Sequence, residues 1–575
     1  MKTLRSLPSL RLPSRSLRVG LDPVTLIVHL VWLGLFAHVL WFVARFGIHS
    51  PYQDEWYFTG VLAANELNWD WVWALHSEHR YPIGKILYWC LTTWTGDFRT
   101  GALVTAILNG ATALGMLTLA RRLRGRTSLV DVLFPALVLN WGQFENYLFG
   151  YQIVFSLTST GMAVILAAAA LFKRERALAC GLAAGASLLV VVQGGGYGLV
   201  AVAPVAIWIA IVAWGMWTGG ERTRAGLLML GPILAAAHAA IVLGRLERNV
   251  GPSLITSTMD RATVFLQAIG CGLGDGAATL GHPLPVLGMV ILAAYAGALI
   301  RLLLVFVREP AERCRVLGIA GVIAWSLVSS LAIAMVRNAG YAPRYAGPAS
   351  VGVCALLITA IVYGPTLSPR SRTLVALAAL AAALGLVIVN VPTARYVGKQ
   401  RRDHFRGFHR DLTEGMPARY LASKYGDILF FPGRPLANHI TPLAKSGYQT
   451  FRSLRSDPST REIPLASLSG VILAAATEEA FRSPGVRPSL LLWSGLPREI
   501  QGVRLGFALQ EPAAMLVLVV KDEAGRVAAV YRRPAAGEHE ALFWIGRTVS
   551  ELRLEPASLT PEIMISSAIL EVPSE

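Results

Sequence analysis

Residues 24–60 read VTLIVHLVWLGLFAHVLWFVARFGIHSPYQDEWYFTG, and two features of this stretch decide how the rest is read. The apolar run 24–43 has the roughly 20 residues that cross about 30 Å of hydrocarbon at about 1.5 Å per residue. It is too long for the apolar core of a cleaved signal, and no small-residue cleavage site follows it. Lys2, Arg5, Arg11, Arg15 and Arg18 precede it, so it reads as a first membrane helix entered from the cytoplasm. Soon after it come two adjacent acids, Asp54 and Glu55, among aromatic residues.

The same signal recurs along the chain. Of 575 residues, 54% are hydrophobic and 15% charged, with a mean hydropathy of +0.52, so water is not the chain's main solvent. Apolar runs at 24–45, 99–120, 129–141, 152–172, 177–193, 197–217, 225–244, 285–307, 316–336, 346–364 and 373–391 predict about 11 transmembrane helices in a polytopic α-helical membrane protein. The run 82–95, PIGKILYWCLTTWT, is too short to span and predicts an interfacial helix within an outer loop, 46–98. With an inside N-terminus, the predicted inner segments hold 19 Lys and Arg against 5 Asp and Glu, and the outer loops are far poorer in cations. This asymmetry supports the layout and places everything after about residue 392 outside the cytoplasm.

It also accounts for the formal charge of +17, so no nucleic-acid partner is expected. Cysteines 90, 180, 271, 314 and 354 form no CxxC pair and imply neither a disulfide framework nor a zinc module. None of the asparagines lies in an N-x-S/T sequon, which favours a bacterial periplasm over a reticulum lumen.

Three regions follow: a membrane domain 1–391, a basic and partly helical segment 392–487, and a β-rich domain 488–575. In the last, SLLLWSG (489–495), VRLGFAL (503–509), AMLVLVVKD (514–522), GRVAAVYRR (525–533), ELRLEP (551–556) and EIMISSAIL (562–570) are separated by turn residues. Together they predict an extracytoplasmic α+β domain ending in a β-sandwich or jelly roll.

Candidate site residues cluster in the predicted outer loops. A partly buried carboxylate beside aromatic rings has the chemistry of a general base, although an acid pair at a helix start facing water gives the same spacing. In NWDWVWALHSEHRYPIGK (68–85) the tryptophans read as interfacial anchors. His76, Glu78, His79, Arg80 and Lys85 form a polar cluster suited to a phosphate at bilayer depth. Zinc is a competing use of His76 and His79, but HExxH spacing is missing. WGQFENYLFGYQ (141–152) offers Glu145 and Gln152 as a sugar-binding surface or as ordinary polar caps on spans. RNAGYAPRYAGP (337–348) places Arg337 and Arg344 outside, against the charge trend, where guanidinium forks suit phosphate. QGGGYG (193–198) follows no strand and predicts a tight outer turn rather than a phosphate loop. Loop 245–284 has the length of a lid.

The order of first span, DE pair, aromatic loop, YPIGK (81–85) and a span ending in ARRLRG resembles the GT-C glycosyltransferases, most nearly the protein O-mannosyltransferase and aminoarabinose (lipid A) transferase families. The former carry a DE pair and an H-P-P-L-G-K stretch. Here Tyr81 replaces the first proline, and His79 stands one residue further upstream. The resemblance covers roughly 1–390. It implies that Asp54 is the base, that Glu55 assists in positioning, and that Lys85 contacts a donor phosphate. PRY (343–345) resembles the R-Y-x-x-P segment whose arginine holds a lipid phosphate, with Tyr345 beside it. The implied activity is extracytoplasmic transfer of a sugar from a polyprenyl phosphate to a glycan, lipid or protein hydroxyl in an inner membrane, with no cofactor or metal required. Phosphate would lie against Lys85, Arg80, Arg344 and Arg337, and substrate against Glu78, His79, Glu145, Gln152 and Tyr345. The alternative from another class is a transporter or flippase of lipid-linked glycans, for which mid-span charges and internal repeats are expected.

Overall fold

A computed structural model describes residues 22–76, 80–244, 257–275, 284–337, 340–431, 435–448 and 451–454. In the C-terminal region it describes 460–464, 472–473, 491–494, 499–509, 516–521, 524, 527–532, 537–556 and 563–574. Among these residues, nine helices are long and apolar enough to cross a membrane. Their outward faces carry large apolar side chains such as Leu30, Ile207, Ile233, Val290, Leu303, Leu377 and Ile388, the surface that lipid requires. Inside, indole donors tie helices together: Trp208 Nε1 donates to the Cys314 carbonyl and Trp325 Nε1 to the Tyr197 carbonyl, each at 2.8 Å.

Two of the eleven expected spans are not helices of spanning length. Residues 129–141 break into a 3₁₀ turn Leu129–Val132 and a six-residue helix Leu133–Val138. Pro135 lacks a backbone donor, and Asn140 turns the chain by accepting the Gly142 N–H at 2.6 Å. Hydropathy alone counts neither effect. The helix Ala177–Val191 has 15 residues, about 22 Å at 1.5 Å per residue, short of hydrocarbon thickness. The expected tight turn at 193–198 is present. Gly195 adopts φ +66°, and a Cβ there would strike the Tyr81 hydroxyl at 2.6 Å.

The last apolar run is part of one helix, Pro369–Thr413, of 45 residues. At about 1.5 Å per residue it is roughly 68 Å long, more than twice the hydrocarbon thickness, so the boundary expected at 391 lies inside it. Its far half buries Ala394, Arg401, Phe405, Phe408 and Leu412, spaced by three, four or seven as one helical face. Ala394 still belongs to the bundle core, whereas Phe405, Phe408 and Leu412 join a separate aromatic core. This second core contains Trp56, Phe58, Tyr88, Phe98 and Tyr151 from the segments between spans, and Tyr420, Leu421 and Leu429 from the helix Ala418–Leu429. Trp56 Nε1 donates to the Leu429 carbonyl at 3.0 Å, and Ser50 Oγ lies 2.7 Å from His409 Nε2.

Among the described residues nine strands follow: β1 (Thr460–Pro464), β2 (Ile472–Leu473), β3 (Leu491–Ser494), β4 (Glu499–Leu509), β5 (Leu516–Lys521), β6 (Val527–Arg532), β7 (Gly537–Thr548), β8 (Glu551–Pro556) and β9 (Ile563–Pro573). They form two antiparallel sheets, ordered β1-β9-β4-β7 and β2-β3-β8-β5-β6. Each of the six expected runs lies on a strand. Helix Ala418–Leu429 is bound to the first sheet through buried Glu571, which pairs with Arg419 at 2.9 Å and with Arg504 at 2.7 Å.

Candidate active site

The acid pair lies on a 3₁₀ turn, Gln53–Phe58. Tyr52 ends the extended lead-in, and Glu55 folds back so that its carboxylate accepts the Tyr52 N–H at 2.9 Å, which closes the turn. Consecutive residues of a tight turn point in different directions, and here they reach opposite environments.

Asp54 is partly open, with 28% of its side chain exposed, and its Oδ1 lies 3.7 Å from His76 Nε2. Burial pushes its pKa up, but His76 and the fields of Arg344 and Arg337 together outweigh this and hold the carboxyl below its usual value. Asp54 is therefore ionised at neutral pH and electrostatically coupled to two guanidinium groups.

Glu55 is sealed in at 2% exposure. Besides the Tyr52 N–H it accepts the Tyr151 N–H at 3.2 Å, and the Tyr88 ring lies beside it. Burial raises its pKa to about 7 despite Arg401 and the bound N–H groups, which oppose the shift. Gly150 makes the contact possible, because a Cβ there would meet the Phe98 carbonyl at 2.4 Å and Glu55 Oε1 at 3.1 Å.

Arg344 pairs through Nη1 with Glu145 Oε2 at 3.2 Å. Asn146 Nδ2 donates to the Arg344 carbonyl at 3.0 Å, so loop 141–152 and the turn Pro343–Tyr345 hold one another. Tyr345, buried, lies under both arginines, with ring centroid distances of 5.0 Å to Arg337 and 5.8 Å to Arg344. Asp275 extends this group. It accepts the Tyr341 hydroxyl at 2.7 Å, and burial lifts its pKa to about 6, opposed by that hydrogen bond and reinforced by Glu145.

Lys85 has different partners. It is 1% exposed on the helix Pro82–Thr95, and its Nζ donates to the Trp71 and Ala74 carbonyls at 2.7 and 2.8 Å. It ties the end of the helix Trp69–Trp73 to the interior and lies 4.9 Å from the Trp71 ring. Burial, with Arg80 nearby, lowers its pKa to about 8. Arg80 donates to the Trp73 carbonyl. Gln152 is buried in the 3₁₀ turn Gly150–Gln152. Glu78 and His79 lie outside the described residues, as do 245–256 and 276–283 of the expected lid, whose remainder is the helix Thr258–Gly270 and the turn after it. Among the described residues no group of three His, Cys, Asp or Glu side chains is placed to hold a metal.

The site therefore gathers Asp54, His76, Glu145, Arg337, Arg344 and Asp275, with Lys85 and Glu55 supporting it from within. Sequence reasoning missed Arg401, whose charge acts on Glu55. The available signal was spacing: Arg401, Phe405, Phe408 and Leu412 share one helical face.

No protein-family model matches the chain, and no curated protein matches it. Among solved structures it is similar to the arabinosyltransferase EmbB from Mycobacterium smegmatis, at 11% identity and a TM-score of 0.32 over 98% of this chain and 66% of that one. The chain thus spans just under two thirds of that structure's length. It is also similar to ArnT from Cupriavidus metallidurans bound to undecaprenyl phosphate, at 14% identity and a TM-score of 0.37, over 74% of this chain and 76% of that one.

Proposed function

We propose that this chain is a membrane glycosyltransferase that moves a sugar from a polyprenyl phosphate to a hydroxyl acceptor on the extracytoplasmic face, with its N-terminus in the cytoplasm and its C-terminal domain outside. The observation that carries the reading is the ionised Asp54 under the influence of Arg344 and Arg337, at the outer ends of helices that otherwise obey an inside-positive charge pattern.

Asp54 accepts the proton of the acceptor hydroxyl as that oxygen attacks the anomeric carbon. The bond from the anomeric carbon to the phosphate oxygen breaks, and its electron pair leaves with the lipid phosphate. Attack from the opposite face inverts the anomeric centre. Arg344 and Arg337 stabilise the charge that grows on the phosphate, the dominant contribution in such transfers. The carboxylate's low pKa keeps the base form present across neutral pH, and the hydroxyl becomes acidic only as its bond to carbon forms. Lys85, held by two backbone carbonyls, supports the outer loop from inside; a phosphate contact would require it to leave them.

The test is transfer from radiolabelled polyprenyl phosphate sugar by the purified protein in lipid vesicles, with D54N as the control. Vesicles that move the lipid-linked sugar between leaflets without transferring it would favour a flippase instead. Full transfer by D54N would end the role assigned to Asp54.

A further inference from the structure

The buried guanidinium of Arg401 is separated from the acid pair by almost the whole membrane domain in sequence, yet it contacts the same two segments that Glu55 does. It is 6% exposed and lies over the Tyr52 ring at 4.2 Å and the Phe149 ring at 4.6 Å. Its Nη1 donates to the Leu148 carbonyl. Glu55 accepts the N–H groups of Tyr52 and Tyr151. Each segment is therefore held twice. Tyr52 is held by its N–H through the acid and by its ring through the base. The turn 148–151 is held by one carbonyl through the base and one N–H through the acid.

A planar guanidinium suits this position because it stacks on rings while keeping donors in its plane for a carbonyl. Loop 141–152 also carries Glu145, the partner of Arg344. The distance from Asp54 to the guanidinium of Arg344 is thus set through two turns fastened by one buried acid and one buried base.

We propose that Arg401 is a positioning residue which, with Glu55, clamps the turn bearing Asp54 to the turn leading to Glu145 and Arg344, and so fixes the gap between base and phosphate-binding cations. The functional half of this statement rests on the transferase reading, while the clamp itself does not. A misplacement of about 1 Å between reacting groups costs about 10²-fold in rate. The expected result for R401M is therefore a loss of about that size in kcat with the donor KM changed less than about threefold, and partial recovery in R401K. Amide hydrogen exchange supplies a readout independent of activity. The amides of Tyr52 and Tyr151 exchange faster in R401M, while those of the bundle helix Gly196–Thr218 do not.

A kcat within twofold of wild type, a loss confined to KM, or unchanged exchange at the two amides would overturn the clamp. Should R401M fail to fold, R401K decides. A lower kcat with faster exchange at the two amides is expected, and wild-type values of both refute the proposal. A wild-type protein inactive towards every polyprenyl phosphate sugar defeats the transferase reading alone, because the exchange comparison still tests the clamp.

Discussion

The two sides of the turn Gln53–Phe58 differ as much as any two regions of the molecule, although one peptide bond separates their acids. On the open side Asp54 is held in its charged form by His76 and two arginines. On the sealed side Glu55 is surrounded by Tyr52, Tyr88, Tyr151 and Arg401, and its pKa rises to about 7. Adjacent carboxylates with diverging pKa values can divide tasks: under the proposed mechanism the charged one takes the proton, while the buried one holds the Tyr52 and Tyr151 N–H groups. The contrast also separates two kinds of cation. Arg344 shares its charge with a partly exposed acid at the rim, whereas Arg401 is enclosed among aromatic rings.

Substitutions should break this contrast in a definite order. D54N is isosteric but cannot take a proton, so transfer falls by about 10²–10⁴-fold in a protein that still melts cooperatively, with a midpoint lowered only by the loss of the charge that the fold favours. Initial rates alongside melting curves check it. R344Q removes a cation from the leaving phosphate and lowers kcat by about 10²–10³-fold, read in the same vesicles with a donor titration.

E55A moves the effect from rate to folding, costing about 2–6 kcal/mol by leaving the Tyr52 and Tyr151 N–H groups without their acceptor, as measured by denaturant unfolding in detergent. E55Q sharpens the point through pH. Between about 4.5, the ordinary glutamate value, and about 7, the unfolded chain releases a proton that the folded chain keeps. Wild-type stability therefore falls as pH rises across that window. E55Q abolishes that part of the fall, which melting curves at pH 5 and pH 8 reveal. K85M has the smallest expected effect, about 1.5–3 kcal/mol, from two lost hydrogen bonds to the Trp71 and Ala74 carbonyls. If K85M instead abolished donor binding while leaving the melting curve unchanged, Lys85 would belong with the rim cations.

Much of this architecture could be read from local signals. The helix Pro82–Thr95 coincides with the run read as too short to span, because Pro82 starts it and Gly96, at φ +68°, ends it. The six β-like runs fall on strands because alternation and turn residues act over a few positions. The acid pair was conspicuous for the same reason. Residues 129–141 misled because hydropathy averages over Pro135, which lacks a backbone donor, and Asn140, whose side chain accepts the Gly142 N–H where the chain turns. Arg401 was hidden differently. Its run reads only as a basic, partly helical segment lying against the membrane or the outer loops, and its carbonyl partner lies 253 residues away. The division of labour between Asp54 and Glu55 was implied by the family resemblance but not legible in the residues themselves, because burial of the second acid depends on Tyr88, Tyr151 and the close approach at Gly150.

One consequence follows from the unbroken rod Pro369–Thr413. Its membrane half and its outer half share a single rotational phase. Inserting one residue between 392 and 400 would turn Arg401 by about 100° away from Tyr52, whereas inserting seven would nearly restore its heading and raise it by about 10 Å. The depth at which this last helix sits in the bilayer is thus geared to the aim of a side chain well outside it. Variation in length should accumulate beyond Thr413, where added residues leave that gearing untouched.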